Sequence, residues 1–309
     1  MAQDRLIWFK GDLMPAVDAK VQVLSPTAQF GLNVFEGIRG YWSDTAQELY
    51  LFRLKEHLDR LFDSCRLIGI TCPYSAAQIE EAIVATLRAN DYRADIAVRA
   101  TVFVDGEGTW SSSEPVDMFV APIAKARRPL DKSDGQSACI ATWQRISEAT
   151  FPPRIKAGAN YINGRYAHLE AQRNGYDLPV LLGADGKVSE GAGSCLFMVR
   201  NGVVATPSLT SSVLESITRD TLLDLARGDD MVVEDRSIDR TELYLADELF
   251  LCGSAAELSP LTSIDQYQVG SGAMGPVTAR LLKLYMDAVA DAPDPAHPEW
   301  RTPVYQRGE

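Results

Sequence analysis

The sequence predicts a mixed α+β fold, and three observations carry that reading. Strand-like and helix-like runs are interleaved along the chain without a strict βαβ alternation. In the second half, the dipeptides Asp185-Gly186 and Asn201-Gly202 each separate two apolar runs, which marks antiparallel hairpins with tight turns. GxxxxGK[ST] does not occur, so the P-loop nucleotide-binding folds lack their phosphate loop.

Taken in order, residues 6–10 and 20–24 read as short strands around a turn. Leu54, Leu58, Leu61, Phe62 and Cys65 recur at helical spacing and predict an amphipathic helix over 54–68. A second helix is expected over 77–89. Residues 96–104 and 117–123 are rich in β-branched and apolar side chains and read as strands. The polar run 125–135 contains Pro and Gly and reads as a linker, which divides the chain into domains 1–124 and 136–309. Beyond it, 137–143 is strand-like, and 163–174 is helical with Gly175 as its stop. The runs 178–182 and 188 flank the first turn dipeptide, and 196–199 and 203–205 flank the second. Helices are expected over 217–226, 241–244 and 276–289.

Composition bounds the function. The chain has 309 residues, 46% hydrophobic and 23% charged, which is the mix of an ordinary soluble globular protein. No apolar run reaches the length of a membrane span, and the first residues lack the basic-then-apolar plan of a signal peptide. Five scattered cysteines without a CxxC pair point to a reducing cytoplasm rather than to a disulfide framework or a zinc site. The three histidines, His57, His168 and His297, do not cluster in sequence, which argues against a His-based metal site. A net charge of −12 argues against nucleic acid as a partner. A small-molecule substrate is the expected partner.

Five segments carry chemistry. Lys156 stands in Arg154-Ile-Lys156-Ala-Gly-Ala-Asn-Tyr161, a run of small residues through which backbone can approach closely; such an amine can form a Schiff base with a carbonyl. The plain alternative is a solvated surface charge. Glu190 precedes Gly-Ala-Gly193 at a hairpin, and is either a turn carboxylate in water or a group aimed at the ring nitrogen of a flat cofactor. Ser216, Ile217 and Thr218 open an apolar helix, as helix caps or as a phosphate site. The turn Cys252-Gly-Ser254-Ala255-Ala256 offers further N–H groups and a hydroxyl. Arg60 is either a solvated helix arginine or a phosphate partner.

These segments also occur in a recognisable order. Phe35-Glu-Gly37-Ile-Arg39, Lys156-Ala-Gly-Ala-Asn-Tyr161, Ser189-Glu190-Gly-Ala-Gly193, Ile217-Thr218-Arg219-Asp220, Tyr244-Leu-Ala-Asp-Glu248 and Gly275-Pro-Val-Thr278 resemble the motifs of class IV, fold type IV pyridoxal-phosphate aminotransferases, the branched-chain amino acid enzymes most of all. The resemblance runs from about Trp8 to about Tyr285. It implies a small N-terminal α/β domain, a larger C-terminal pseudo-barrel domain, a site between them, a homodimer, and pyridoxal 5'-phosphate as cofactor. Lys156 would carry the cofactor and move the proton between substrate and cofactor. Glu190 would pair with the ring nitrogen, Tyr161 would bond the phenolic oxygen, and Leu214 would pack on the ring. Arg60, Ile217, Thr218 and Ser254 would hold the phosphate. Phe35, Gly37, Arg39, Ala97, Arg99, Ala255 and Ala256 would line the substrate pocket.

The chain departs from the family pattern at Phe30 and Ala97, where many branched-chain enzymes carry tyrosine, and 123–125 lacks an aromatic often found there. Ala97 cannot offer a hydroxyl to a substrate carboxylate, so Arg39 and Arg99 are expected to bind it more directly. The implied activity is amino transfer from branched-chain or related amino acids to 2-oxoglutarate. The alternatives are a D-amino acid or (R)-amine transaminase of the same fold and, further off, a pyruvate-releasing aminodeoxychorismate lyase.

Overall fold

A computed structural model describes residues 5–129, 135–289 and 297–306. The expected linker 125–135 lies partly outside the described residues. The chain forms two compact units that are not continuous in sequence. The first comprises 1–127, 155–159 and 287–309; the second comprises 128–154 and 160–286.

The first unit is built on a seven-stranded sheet. Its order is Arg301–Pro303, Glu48–Phe52, Asn33–Ser43, Ile96–Val104, Val116–Ala124, Leu6–Phe9 and Asp12–Pro15. The second strand of the chain is therefore Asp12–Pro15, and the expected strand at 20–24 is not formed. The reason is local: Gly11 takes φ +100° and turns the chain immediately after Phe9. Helices Leu54–Ile68 and Ala76–Ala89 supply the buried apolar stripe, with Leu54, Leu58, Leu61, Ile79, Ile83 and Leu87 all at most 2% exposed. The first ends at Gly69 in the left-handed conformation, and the second begins with a capping box between Ser75 and Gln78.

The residues that follow the last strand are bound by one carboxylate. Buried Glu48 accepts backbone N–H groups from Leu49 (2.7 Å), Val304 (3.1 Å), Tyr305 (2.8 Å) and Gln306 (2.6 Å).

The second unit contains a mixed sheet in the order Val232–Arg236, Val203–Pro207, Cys195–Arg200, Glu248–Gly253, Glu257–Ile264, Gln136–Ile140, Leu178–Leu182 and Val188–Gly191, with the short strand Tyr267–Gln268 beside Glu257–Ile264. Both hairpins form at the expected turns, with Gly186 and Gly202 at φ +77°. One face buries Val180, Leu196, Met198, Leu249, Leu251 and Leu261. On the other, Phe197 and Phe250 stack at 5.0 Å. The helix expected from 163 begins at Tyr161, and 240–245 is a 3₁₀ rather than an α-helix. Glu248 accepts from the backbone N–H groups of Val277 (3.0 Å) and Thr278 (2.7 Å), capping helix Pro276–Val289. Gly275 is required for that approach, since a Cβ there would sit 2.1 Å from Glu248 Cδ. Among the described residues, no helix is long and apolar enough to cross a membrane.

Glu48→Ala leaves these donors, those of Leu49 and Val304 buried, without their acceptor and is expected to cost about 3 kcal/mol. Urea unfolding of the full chain measures it, and an unchanged midpoint would show that the tail is held by its other contacts.

Candidate active site

In the first unit, strand Asn33–Ser43 is paired along one edge with Ile96–Val104 from Asn33 to Gly40, while Glu48–Phe52 covers only Gly40–Ser43 of the other edge. The open stretch is taken by 155–159. Phe35 N–H donates to Lys156 C=O (3.0 Å), Gly158 N–H donates to Asn33 C=O (3.1 Å), and Val34 faces Ala157. Lys156 N–H donates to Ser64 Oγ (3.1 Å), a buried hydroxyl of helix Leu54–Ile68. Both backbone groups of Lys156 are therefore fixed. Its Nζ lies 5.1 Å from the centre of the Phe35 ring, and Arg99 Cζ lies 4.1 Å from the same ring.

Strand register sets the rest of this face. Arg39 pairs with Ala97 and Ala97 with Ile123; Gly37 pairs with Arg99 and Arg99 with Ala121. Paired residues share a face, so Phe35, Gly37, Arg39, Ala97 and Arg99 project to one side of the sheet. Arg39 is buried, with its guanidinium 5.0 Å from the Tyr41 ring centre. Arg60 lies elsewhere: it reaches the opposite face of strand Asn33–Ser43 and grips Glu36 through Nε (2.7 Å) and Nη2 (2.8 Å). Phe30, one of the two departures, is exposed on the short helix Pro26–Phe30.

In the second unit, Glu190 is buried at the end of strand Val188–Gly191. Its Oε1 pairs with Arg145 Nε and Nη2, both at 2.8 Å. Its Oε2 accepts from Leu214 N–H (3.3 Å) and the Cys195 thiol (3.7 Å). Arg145 Nη1 donates to Asn160 Oδ1 (2.7 Å), so one guanidinium ties Glu190 to the residue preceding Tyr161. The Tyr161 ring lies against Gly193, where a Cβ would come 3.5 Å from Cε1. Gly164 of the same helix packs on Ala192 C=O, which a Cβ would meet at 2.3 Å. Ile217 and Thr218 are the first two residues of helix Ile217–Gly228, and Ser216 caps it by accepting from Arg219 N–H (3.3 Å). Ser254, Ala255 and Ala256 form the turn between Glu248–Gly253 and Glu257–Ile264. This turn adjoins the Glu190 loop: a Cβ on Gly253 would lie 3.7 Å from Gly193 C=O.

Sequence reasoning passed over Arg145, Glu36, His57 and Ser64. Glu36 was the most accessible of these, since it stands inside the quoted motif between Phe35 and Gly37. Arg145 carries no local signature, and only the fold brings it to Glu190.

The residues present fit pyridoxal phosphate as a donor set. They offer an amine for the aldehyde, a buried carboxylate for the ring nitrogen, a phenol for the phenolic oxygen, and a guanidinium, a helix start and a hydroxyl for the phosphate.

The architecture and this set of groups are those of a pyridoxal-phosphate aminotransferase. The sequence profile of the family described as Amino-transferase class IV matches residues 33–264, and the chain belongs to that family. It is 37% identical over 306 residues to the branched-chain-amino-acid aminotransferase of Pseudomonas aeruginosa, covering 98% of each chain. It is 35% identical over 302 residues to the probable branched-chain-amino-acid aminotransferase of Aquifex aeolicus, covering 97% of each. The branched-chain amino acid aminotransferase of Thermobaculum terrenum, solved in its PLP-form, superposes with a TM-score of 0.92 at 40% identity, over 98% of this chain and 99% of that one.

Arg145→Met strands a buried carboxylate and is expected to cost about 3–5 kcal/mol in unfolding free energy. Adding Glu190→Gln should recover part of that loss. Strictly additive losses in the double variant would refute coupling between the two side chains.

Proposed function

We propose that this chain transfers the amino group of branched-chain or related amino acids to 2-oxoglutarate, with pyridoxal 5'-phosphate as cofactor. The observation that carries the reading is the fixed backbone of Lys156, which holds one amine beside Phe35 on a strand whose same face presents Arg39 and Arg99. The names of relatives matched over nearly their whole length support it.

When bound, pyridoxal phosphate supplies an electron sink for the charge left on a substrate carbon that loses its proton. The chain's own residues do the rest. Lys156 Nζ holds the cofactor and then takes and returns the proton. Glu190, oriented by Arg145, accepts from the ring nitrogen. Tyr161 bonds the phenolic oxygen, and Leu214 packs on the ring. Ile217, Thr218, Ser254 and Arg60 hold the phosphate. Arg39 and Arg99 bind carboxylate, with Phe35, Gly37, Ala97, Ala255 and Ala256 shaping the pocket.

One observation favours a second reading, activity on D-amino acids or (R)-amines: Ala97 is a small side chain between Arg39 and Ile123 across three strands. We place the protein in the cytoplasm, as its free thiols favour, and as a homodimer. Exposed Leu24, Phe30 and Trp110 support the dimer. Gln29 draws their loops together by donating to Leu24 C=O (2.5 Å) and Gly108 C=O (3.4 Å).

Lys156→Ala is expected to lower amino transfer from L-leucine by about 10³-fold or more. Borohydride treatment of the holoenzyme should add the cofactor's mass to Lys156 and to no other residue. A colourless protein that takes up no mass would remove the reading. Ala97→Tyr is expected to raise the kcat/KM preference for L-leucine over L-phenylalanine about tenfold. Unchanged ratios across a donor panel would show that position 97 does not shape the pocket.

A further inference from the structure

Glu36 is a buried carboxylate that the roles above leave unused. Strand alternation turns it away from Phe35 and Gly37, to the face covered by helix Leu54–Ile68. It is fully buried. The helix brings two partners onto it from successive turns. His57 Nδ1 lies 2.6 Å from Oε2, while Arg60 Nε and Nη2 lie 2.7 Å from Oε1 and 2.8 Å from Oε2. Burial pushes the Glu36 carboxyl up, but Arg60 and His57 outweigh it and hold it well below the usual carboxylate range. An ionised carboxylate only accepts, so His57 Nδ1 carries the proton and donates. Burial also pulls the His57 imidazole below its ordinary value, against the opposing pull of Glu36.

We propose that Glu36, braced by His57, is a positioning residue that aims the Arg60 guanidinium at the phosphate monoester of the cofactor. The proposal rests on the reading of Arg60 as a phosphate contact. A guanidinium holds its five N–H donors in one plane. Gripping the Nε and Nη2 side fixes that plane and the direction of the outer Nη edge. The rotamer freedom an arginine loses on gripping an anion is then lost on folding rather than on binding. Charge alone works in the opposite sense, because Glu36 offsets the positive charge that attracts a phosphate. Positioning and simple neutralisation thus predict effects of opposite sign when the Glu36 charge is removed.

The test titrates the full-length apo-chain with pyridoxal 5'-phosphate and with pyridoxal, which lacks the phosphate, in wild type and Glu36→Gln. Unfolding midpoints are read on the same samples. Glu36→Gln should raise the dissociation constant for pyridoxal phosphate about tenfold or more, while that for pyridoxal changes less than about twofold. Inorganic phosphate should lose its power to compete by a similar factor. If Glu36→Gln does not fold, Arg60→Lys keeps the charge without the fork and should show the same phosphate-specific loss, and His57→Phe a smaller one. Where both fold, Glu36→Gln added to Arg60→Lys should cost nothing further. Tighter binding of pyridoxal phosphate by Glu36→Gln, or equal weakening of both ligands, overturns the proposal. A wild-type chain that binds neither ligand, or binds both equally, overturns instead the cofactor reading on which the proposal stands.

Discussion

The first unit depends on one piece of unorthodox strand pairing. A five-residue segment, 155–159, closes a sheet edge left open by the short strand Glu48–Phe52, although the chain on either side of it belongs to the second unit. Two backbone hydrogen bonds and the Ser64 hydroxyl fix the peptide groups around Lys156, so the side chain moves only through its own torsions. The small residues after Lys156 follow from this geometry. At Gly158 a Cβ would stand 2.5 Å from Asn33 Oδ1, and the segment could not approach so closely. On the proposed reading, an amine that must reach a carbonyl and then a proton gains from such restraint, because orientation is settled before substrate arrives.

Two buried arginine–carboxylate pairs recur around this theme. In each, an arginine meets its carboxylate through Nε and Nη2, in Glu36–Arg60 and in Glu190–Arg145. Buried ion pairs are poor sources of stability, since desolvation offsets the attraction. Their value is directional. In the second unit Arg145 holds a carboxylate in place, and Leu214 N–H and the Cys195 thiol complete its orientation. In the first unit the carboxylate holds the arginine. The same fork of donors thus serves two purposes, decided by which partner faces the ligand on the proposed reading.

Much of this was legible in the sequence wherever the signal is local. Hairpin turns at Asp185-Gly186 and Asn201-Gly202, the apolar stripe of helix Leu54–Ile68 and the Gly175 stop all rest on neighbours in the chain. The motif order identified the family without any geometry. Pairings between distant residues stayed hidden. Nothing near Arg145 announces that it meets Glu190, forty-five positions away. Two of the quoted motifs proved to be a single structural device, with Glu248 of one capping the helix begun by Gly275-Pro-Val-Thr278 of the other. The strand expected over 20–24 failed because apolar alternation alone cannot locate a turn that Gly11 makes earlier in the chain.

Ala97 matters because of where the register puts it. Cross-strand neighbours on one face stand with Cβ atoms roughly 5 Å apart. A phenol at 97 would therefore reach into the space between Arg39 and Ile123, which on the proposed reading alanine leaves to the substrate. On the proposed reading, carboxylate recognition then falls to guanidinium groups, whose forks read the carboxylate and not the side chain beyond it. Arg99 is steadied by the Phe35 ring and Arg39 by Tyr41, so neither requires a tyrosine at 97 to hold its place. Grip on the carboxylate and tolerance of side-chain bulk are thereby separated onto different residues. On the same reading, a small residue at 97 widens the range of donors without loosening the group that all of them share.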